Sequence, residues 1–294
     1  MDPFLSGAVG GASAQVVKSA WDSLAQPWID QYFERHLPAA RAKAQANAER
    51  MFEDLATRMA LIERQVVAQG QSLNTLNKQL EDPDFSAALY TATMAAARTN
   101  DPEKHALLSR AVAERLLSPP DDLRTLTTSL VLEAIPQLAP KHMDFLALAS
   151  LIYHIRPTDL FSQAGELPIE DPAVKGKAIM AMYWEWLRPR MERIPLPTFS
   201  PLDYIHLMSV SCLKHDAFLS RDFLAVLLPP NSVVLSQQAR DELQNYMNAF
   251  TFGTQILEVW KQGMQAITLT TTGQLLGVYV HDLRTGTVTT FQGW

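Results

Sequence analysis

A chain of 294 residues exceeds the usual single domain, so two packed units plus an extended element are expected. Its hydrophobic content of 47% excludes wholesale disorder, and a net charge of -6 argues against a general nucleic-acid binder, which needs basic excess to neutralise phosphates. One cysteine leaves no intramolecular disulfide, and no run of about 18 apolar residues offers a membrane-spanning helix.

Residues 1–14 are small and glycine-rich, without the basic segment and long apolar run of a secretory signal, so the cytoplasm is the expected compartment. Val17, Trp21, Leu24 and Trp28 then recur at helical spacing. That stripe either packs on the body or lies on the inner-membrane surface, with Phe4, Leu5, Trp21 and Trp28 as the contact residues. The polar face sets Lys18 against Asp22 and Asp30, too few cations to favour the membrane.

The clearest periodicity follows. Phe52, Leu55, Met59, Ile62, Val66, Gln69, Leu73, Leu76 and Leu80 alternate steps of three and four, a heptad seam with one polar member. It predicts a long coiled-coil-like helix through which the chain self-associates, against the alternative of a long helix packed on its own chain.

Helix starts downstream carry their own chemistry. Asp82-Pro83 and Asp101-Pro102 place an acid at the cap and a proline at the first helical position. Asp121 or Asp122 caps the next helix, which runs to about Leu138, and Pro140 opens another through His154. Residues 156–176, rich in proline, glycine and acids, predict a domain boundary. Ser200-Pro201-Leu202-Asp203 reads as a variant capping box ahead of helices at about 201–215, 220–228 and 236–262. Ala266–Thr270 is a short β-branched run; Leu275–Val280 and Val288–Phe291 then suggest a small strand-containing module beside a winged-helix-like wing.

Candidate chemistry is sparse. Cys212 sits among apolar neighbours and reads as a buried, inert thiol. Neither a metal-ligand spacing, a nucleophile elbow nor a phosphate loop is present, so no catalytic residue, metal or cofactor is assigned. His105, Arg110 and Glu114 share a polar helical stretch, and Trp184 and Trp186 stand beside arginines as interfacial aromatics do; these five are the candidate ligand or partner surface.

Asn100–Leu116, with its Lys-His, Leu-Ser-Arg and Glu-Arg-Leu groups, and the Leu269-Thr-Thr-Thr-Gly273 to Trp294 tail resemble stretches of bacterial proteins similar in layout to the Abi-alpha abortive-infection group. The resemblance implies a bacterial cytoplasmic origin and a role in anti-phage defence, and carries over no catalytic residues.

The expected architecture is therefore mainly α: a multi-helical body with a long N-terminal coiled-coil-like helix and a small C-terminal α+β, winged-helix-like module. Its parts are an amphipathic segment (1–38), the heptad helix (39–81), a helical domain (82–160) and a second ending in the strand module (177–294). The expected function is a non-enzymatic, self-associating interaction protein with an unidentified protein partner and a peripheral membrane contact. The alternatives are a winged-helix-like DNA-binding regulator, disfavoured by acidity, and a hydrolase with an unrecognised site.

Overall fold

The computed structural model of the chain describes residues 17–34, 37–68, 82–117, 122–157, 160, 168–216, 218–228 and 237–289. Phe4, Leu5, Gln69, Leu73, Leu76 and Leu80 lie outside the described residues. The fold is mainly helical, and its contacts divide the chain into two units, Met1–Gln137 with Gly293–Trp294, and Leu138–Gln292. The division falls ahead of residues 156–176. The reason lies in the Pro140 helix: it is apolar on nearly every side and buries itself in the C-terminal half.

In the first unit a π-helical stretch, Trp21–Ala25, runs into α1 (Gln26–Phe33). Then come α2 (Pro38–Ala68), α3 (Pro83–Ala97), α4 (Pro102–Arg115), α5 (Leu123–Ala134) and a 3-10 turn, Ile135–Gln137. The Asp caps form as the sequence suggests. Asp82 accepts from the Asp84 amide at 2.8 Å, Asp101 from Glu103 at 3.0 Å and Asp122 from Arg124 at 3.2 Å. Each satisfies one of the orphan amides of a helix start.

α2 packs on α3 and α4 of its own chain. Phe52, Leu55, Met59 and Ile62, the first half of the heptad seam, are buried there, and Val66 is half-buried. The Trp21 ring meets Phe52 edge-on at 5.0 Å. A 3.5-residue repeat states that a helix needs a long apolar partner, without stating whose chain supplies it. Here the alanine-rich α3 and the leucines of α4 supply it: Ala92, Ala96, Leu107, Leu108 and Val112 are all buried.

The second unit runs α6 (Pro140–Tyr153), α7 (Pro172–Glu192), α8 (Pro201–Ser209), β1 (Leu213–His215) and α9 (Phe223–Leu227). α10 (Gln237–Ala249), α11 (Thr251–Lys261), a 3-10 turn (Met264–Ala266), β2 (Ile267–Leu269) and α12 (Thr271–Thr285) complete it. β1 and β2 pair antiparallel, Leu213 opposite Leu269 and His215 opposite Ile267. The β-branched run is thus a strand, but Leu275–Val280, expected in the strand-containing module, lies in α12; of the expected final strand Val288 and Thr289 belong to no element, and Thr290 and Phe291 lie outside the described residues. Thr270 caps it by accepting from the Gly273 amide at 3.1 Å. Leu275, Leu276, Val278, Tyr279 and Val280 are buried all round, which is the pattern of a central helix.

α6 and α12 form the closest helix pair of this unit. Arg284 Nε donates to Asp144 Oδ1 at 2.8 Å across it. A Cβ on Gly277 would lie 2.0 Å from Ser150 Oγ and 2.4 Å from the Leu146 carbonyl oxygen. Gly277→Ala gains helix propensity yet should lose about 2 kcal/mol of stability, because a backbone carbonyl has to move. Chemical denaturation checks it; an unchanged or raised midpoint would contradict the close packing. At the far end of α6, Arg156 donates to the carbonyls of Ile152 (2.9 Å) and Val226 (2.6 Å), tying that helix end to α9. Tyr183 of α7 reaches the Leu227 carbonyl at 2.8 Å, and burial pushes its phenol up to about 12.

Candidate functional site

His105, Arg110 and Glu114 lie together on α4, and the contact between α4 and α2 decides their surroundings. Two turns of α2, at Asp54 and Arg58, face the two turns of α4 that carry His105 and Ser109. Arg58 Nε donates to Ser109 Oγ at 3.1 Å, and Ser109 donates in turn to the Ala106 carbonyl at 3.0 Å. Burial pushes the Asp54 carboxyl up, with Arg58 and His105 drawing it down more weakly. The His105 Nε2 sits 2.9 Å from the Thr99 carbonyl, so Nε2 carries the hydrogen. Its Nδ1 is buried without a hydrogen-bond partner. Higher along α4, Arg110 Nε and Arg124 donate to the two oxygens of Glu114 at 2.9 and 2.7 Å. Arg110 and Glu114 are thus turned on one another and on Arg124, tying α4 to α5, while Arg58 and Ser109 tie α2 to α4.

Arg115, absent from that expectation, does the same at the end of α4. It is buried, donates to the Thr125 carbonyl at 2.7 Å and Ser129 Oγ at 3.0 Å, and pairs with Asp84.

α5 sends its threonines inward and three of its four leucines outward. Thr125, Thr127 and Thr128 are buried, whereas Leu123, Leu126 and Leu130 are 50%, 57% and 47% exposed. At 100° per residue these leucines fall within about 60° of the helical wheel, a single stripe. Asp122 and Glu133 are exposed, and on the same wheel both fall along one edge of it. Leu117, 48% exposed, follows α4 on the way to this helix. Solvent-facing leucines singly need no explanation; a stripe of them does.

The second unit holds a polar hub that no sequence expectation joined. Asp203 accepts from the Ser200 amide (2.7 Å) and Ser200 Oγ (2.8 Å), one half of a capping box at the start of α8. Its other oxygen receives Lys141 Nζ at 2.7 Å and His142 Nε2 at 3.0 Å from the start of α6. The Ala139 amide donates to His142 Nδ1 at 3.1 Å, so the imidazole is neutral, with its hydrogen on Nε2. Burial lowers the His142 pKa, more than the Asp203 hydrogen bond raises it. For Asp203 burial raises the carboxyl, but its donors, Lys141 first, hold it well below the usual carboxylate range. Serine and histidine both donate to the aspartate here; no base faces a nucleophile, and the hub works as a clamp between α6 and α8.

Trp184 is buried, stacked on Tyr246 at 5.8 Å and edge-on to Phe250 at 5.6 Å. Trp186 is half-buried, stacked on Tyr183, with the Arg190 guanidinium 4.3 Å from its ring. Both are spent largely within the unit. Trp21 is likewise buried, and Trp28, half-buried, meets the Tyr90 ring edge-on at 4.9 Å. Cys212 is buried, its thiol pushed up to about 12 by burial. Among the described residues no group of three or more His, Cys, Asp or Glu is placed to hold a metal ion, and no helix is long and apolar enough to cross a membrane.

The leucine stripe and the Asp203 hub are what residue patterns missed. The stripe had a signal, its 3-4 spacing; of the hub only the Ser200–Asp203 half had one, and its link to His142, 61 positions away, had none.

A model of an uncharacterised protein family, described only as "-like", matches residues 16–222. No curated protein and no solved structure matches the chain.

Proposed function

The chain belongs to that uncharacterised family, and from there we propose that it is a non-enzymatic helical scaffold of the bacterial cytoplasm, working through protein contacts. The observation that carries the reading is the exposed stripe Leu123–Leu126–Leu130 on α5. Water-facing leucines at 3-4 spacing match the anchor pattern of helix-in-groove recognition. A role in anti-phage defence, of the abortive-infection kind, rests on the resemblance of Asn100–Leu116 and of the C-terminal tail to the Abi-alpha layout. Self-association belongs to the reading as a weak contact. A coiled coil through Phe52–Leu80 has little support from its first half, whose side chains are spent inside the unit. The stripe on α5 is the better surface for it. A DNA-binding role through a winged helix is less well supported, since Leu275–Val280, expected in the strand-containing module, lies in the helix α12.

Light scattering across a dilution series tests this. For the wild type the mass should rise above 32.8 kDa at high concentration. Leu126→Asp, on an exposed position, should stay at that mass with an unchanged helical spectrum. A wild type of constant mass removes self-association from the reading. A variant that associates as the wild type does removes the stripe as its carrier.

A further inference from the structure

We infer that the outward face of α5 is a docking site for one amphipathic helix of a partner protein, with aliphatic anchors at i, i+3 or i+4 and i+7 and with Lys or Arg along one edge. The inference rests on the protein-contact reading and names the partner's chemistry.

Two observations make this occupant the stronger one on a stripe that a second copy of the chain meets only weakly. The first is area. Leu117, Leu123, Leu126 and Leu130, each about half exposed, offer on the order of 300 Å², the size at which an apolar patch on a monomer tends to be functional. A stable dimer needs about 800 Å² from each partner. A single helix laid along the stripe needs far less. The second is charge. Asp122 and Glu133 border the leucines on one edge, and both are exposed. Arg124, on the same helix, is turned to Glu114, and Lys104 donates to the Pro136 carbonyl just past the helix end at 3.1 Å. Two copies packed antiparallel across the stripe would bring acid towards acid. A helix with cations on the matching edge would meet both carboxylates while its aliphatic side chains cover the leucines.

The test is fluorescence anisotropy with two synthetic 18-residue helical peptides. They share one leucine pattern of 3-4 spacing and carry lysines or glutamates along the flank. The full-length protein should bind the lysine peptide at least about tenfold more tightly than the glutamate peptide, with an affinity that falls as salt rises. Leu126→Asp/Leu130→Asp should lose at least about tenfold, although it adds negative charge, because a buried unpaired carboxylate is costly. Asp122→Asn/Glu133→Gln should weaken binding about threefold per charge and flatten the salt dependence; asparagine keeps the helix cap. Equal binding of the lysine peptide by the double-Asp variant would mean diffuse attraction to an acidic protein and would overturn the inference. So would equal binding of both peptides. If neither peptide binds while the mass of the wild type still rises with concentration, the stripe takes a second copy: the inference falls and the protein-contact reading stands. If neither peptide binds and the mass is constant, both fall.

Discussion

Phe52→Ala should cost about 4 kcal/mol of unfolding free energy, the range for emptying a fully buried phenylalanine site. The side chain has no exposure, opens the heptad seam on α2 and receives the Trp21 ring edge-on. Its loss removes apolar burial, an aromatic pair and a wall of the recess of about 50 Å³ that Val17, Leu24, Leu55, Met59 and Leu89 also line. That recess gives the remaining side chains a direction in which to collapse, so the cost stays nearer the middle of the range than its top. The measurement is hydrogen exchange of peptides from α2 through a urea series, because a chain of two units need not unfold in one step. The same experiment decides whose partner the seam needs. A helix packed on its own chain gives a midpoint independent of protein concentration; a coiled coil between copies gives one that rises with it. A loss under about 1 kcal/mol would show that Phe52 is not the core residue its burial makes it.

That distinction is also where the sequence stops being legible. The Asp-Pro starts of α3 and α4 could be read because capping is local: acid, proline and first amide lie within three residues. The heptad seam could be read for the same reason, as a property of one helix. What completes it is not local. Ala92, Ala96, Leu107 and Leu108 carry no mark that says they face residues 52–62, so self-association and intramolecular packing look alike in the sequence. α5 shows the limit more sharply. It presents two faces that can be buried, threonines with Val131 and Leu132 on one, Leu123, Leu126 and Leu130 on the other, and hydrophobicity alone does not put the three leucines outside. The fold does so, because Arg115 reaches the Thr125 carbonyl and Ser129 hydroxyl on the inner side, and Val131 and Leu132 supply the apolar contact there. α12 fails as a reading for another reason. A helix buried on every side has no amphipathic period, and a run rich in Leu and Val without that period resembles a strand.

Asp203→Ala should cost the second unit about 3 kcal/mol, the lower end of the cost of removing one member of a buried ionic cluster. The carboxylate accepts from four donors, and its loss leaves the buried His142 Nε2 unpaired, the Ser200 amide at the helix start without its acceptor and Lys141 without its partner. The pH dependence then has a fixed sign. Asp203 is held below its ordinary value in the folded chain, so its stabilisation is fully present above the unfolded value of about 3.9 and is lost as pH falls below it. His142 is also lowered, so the neutral ring it needs in the fold contributes in full above its ordinary value of about 6.5 and less as pH falls. Both act in the acid direction, in separate windows. The gap between wild type and Asp203→Ala should therefore be largest near neutral pH and narrow below about pH 4. His142→Gln, which keeps a donor for Asp203 but no titrating ring, should reduce the shallower loss that sets in below about pH 6.5, to which His154, also lowered, contributes, and leave the steeper one. A difference between Asp203→Ala and wild type that stays constant down to pH 3 would mean the carboxyl is not held low in the fold. The clamp between α6 and α8 would then depend on packing around Phe145, Phe199 and Tyr204, whose rings already meet there at 4.2 to 5.5 Å.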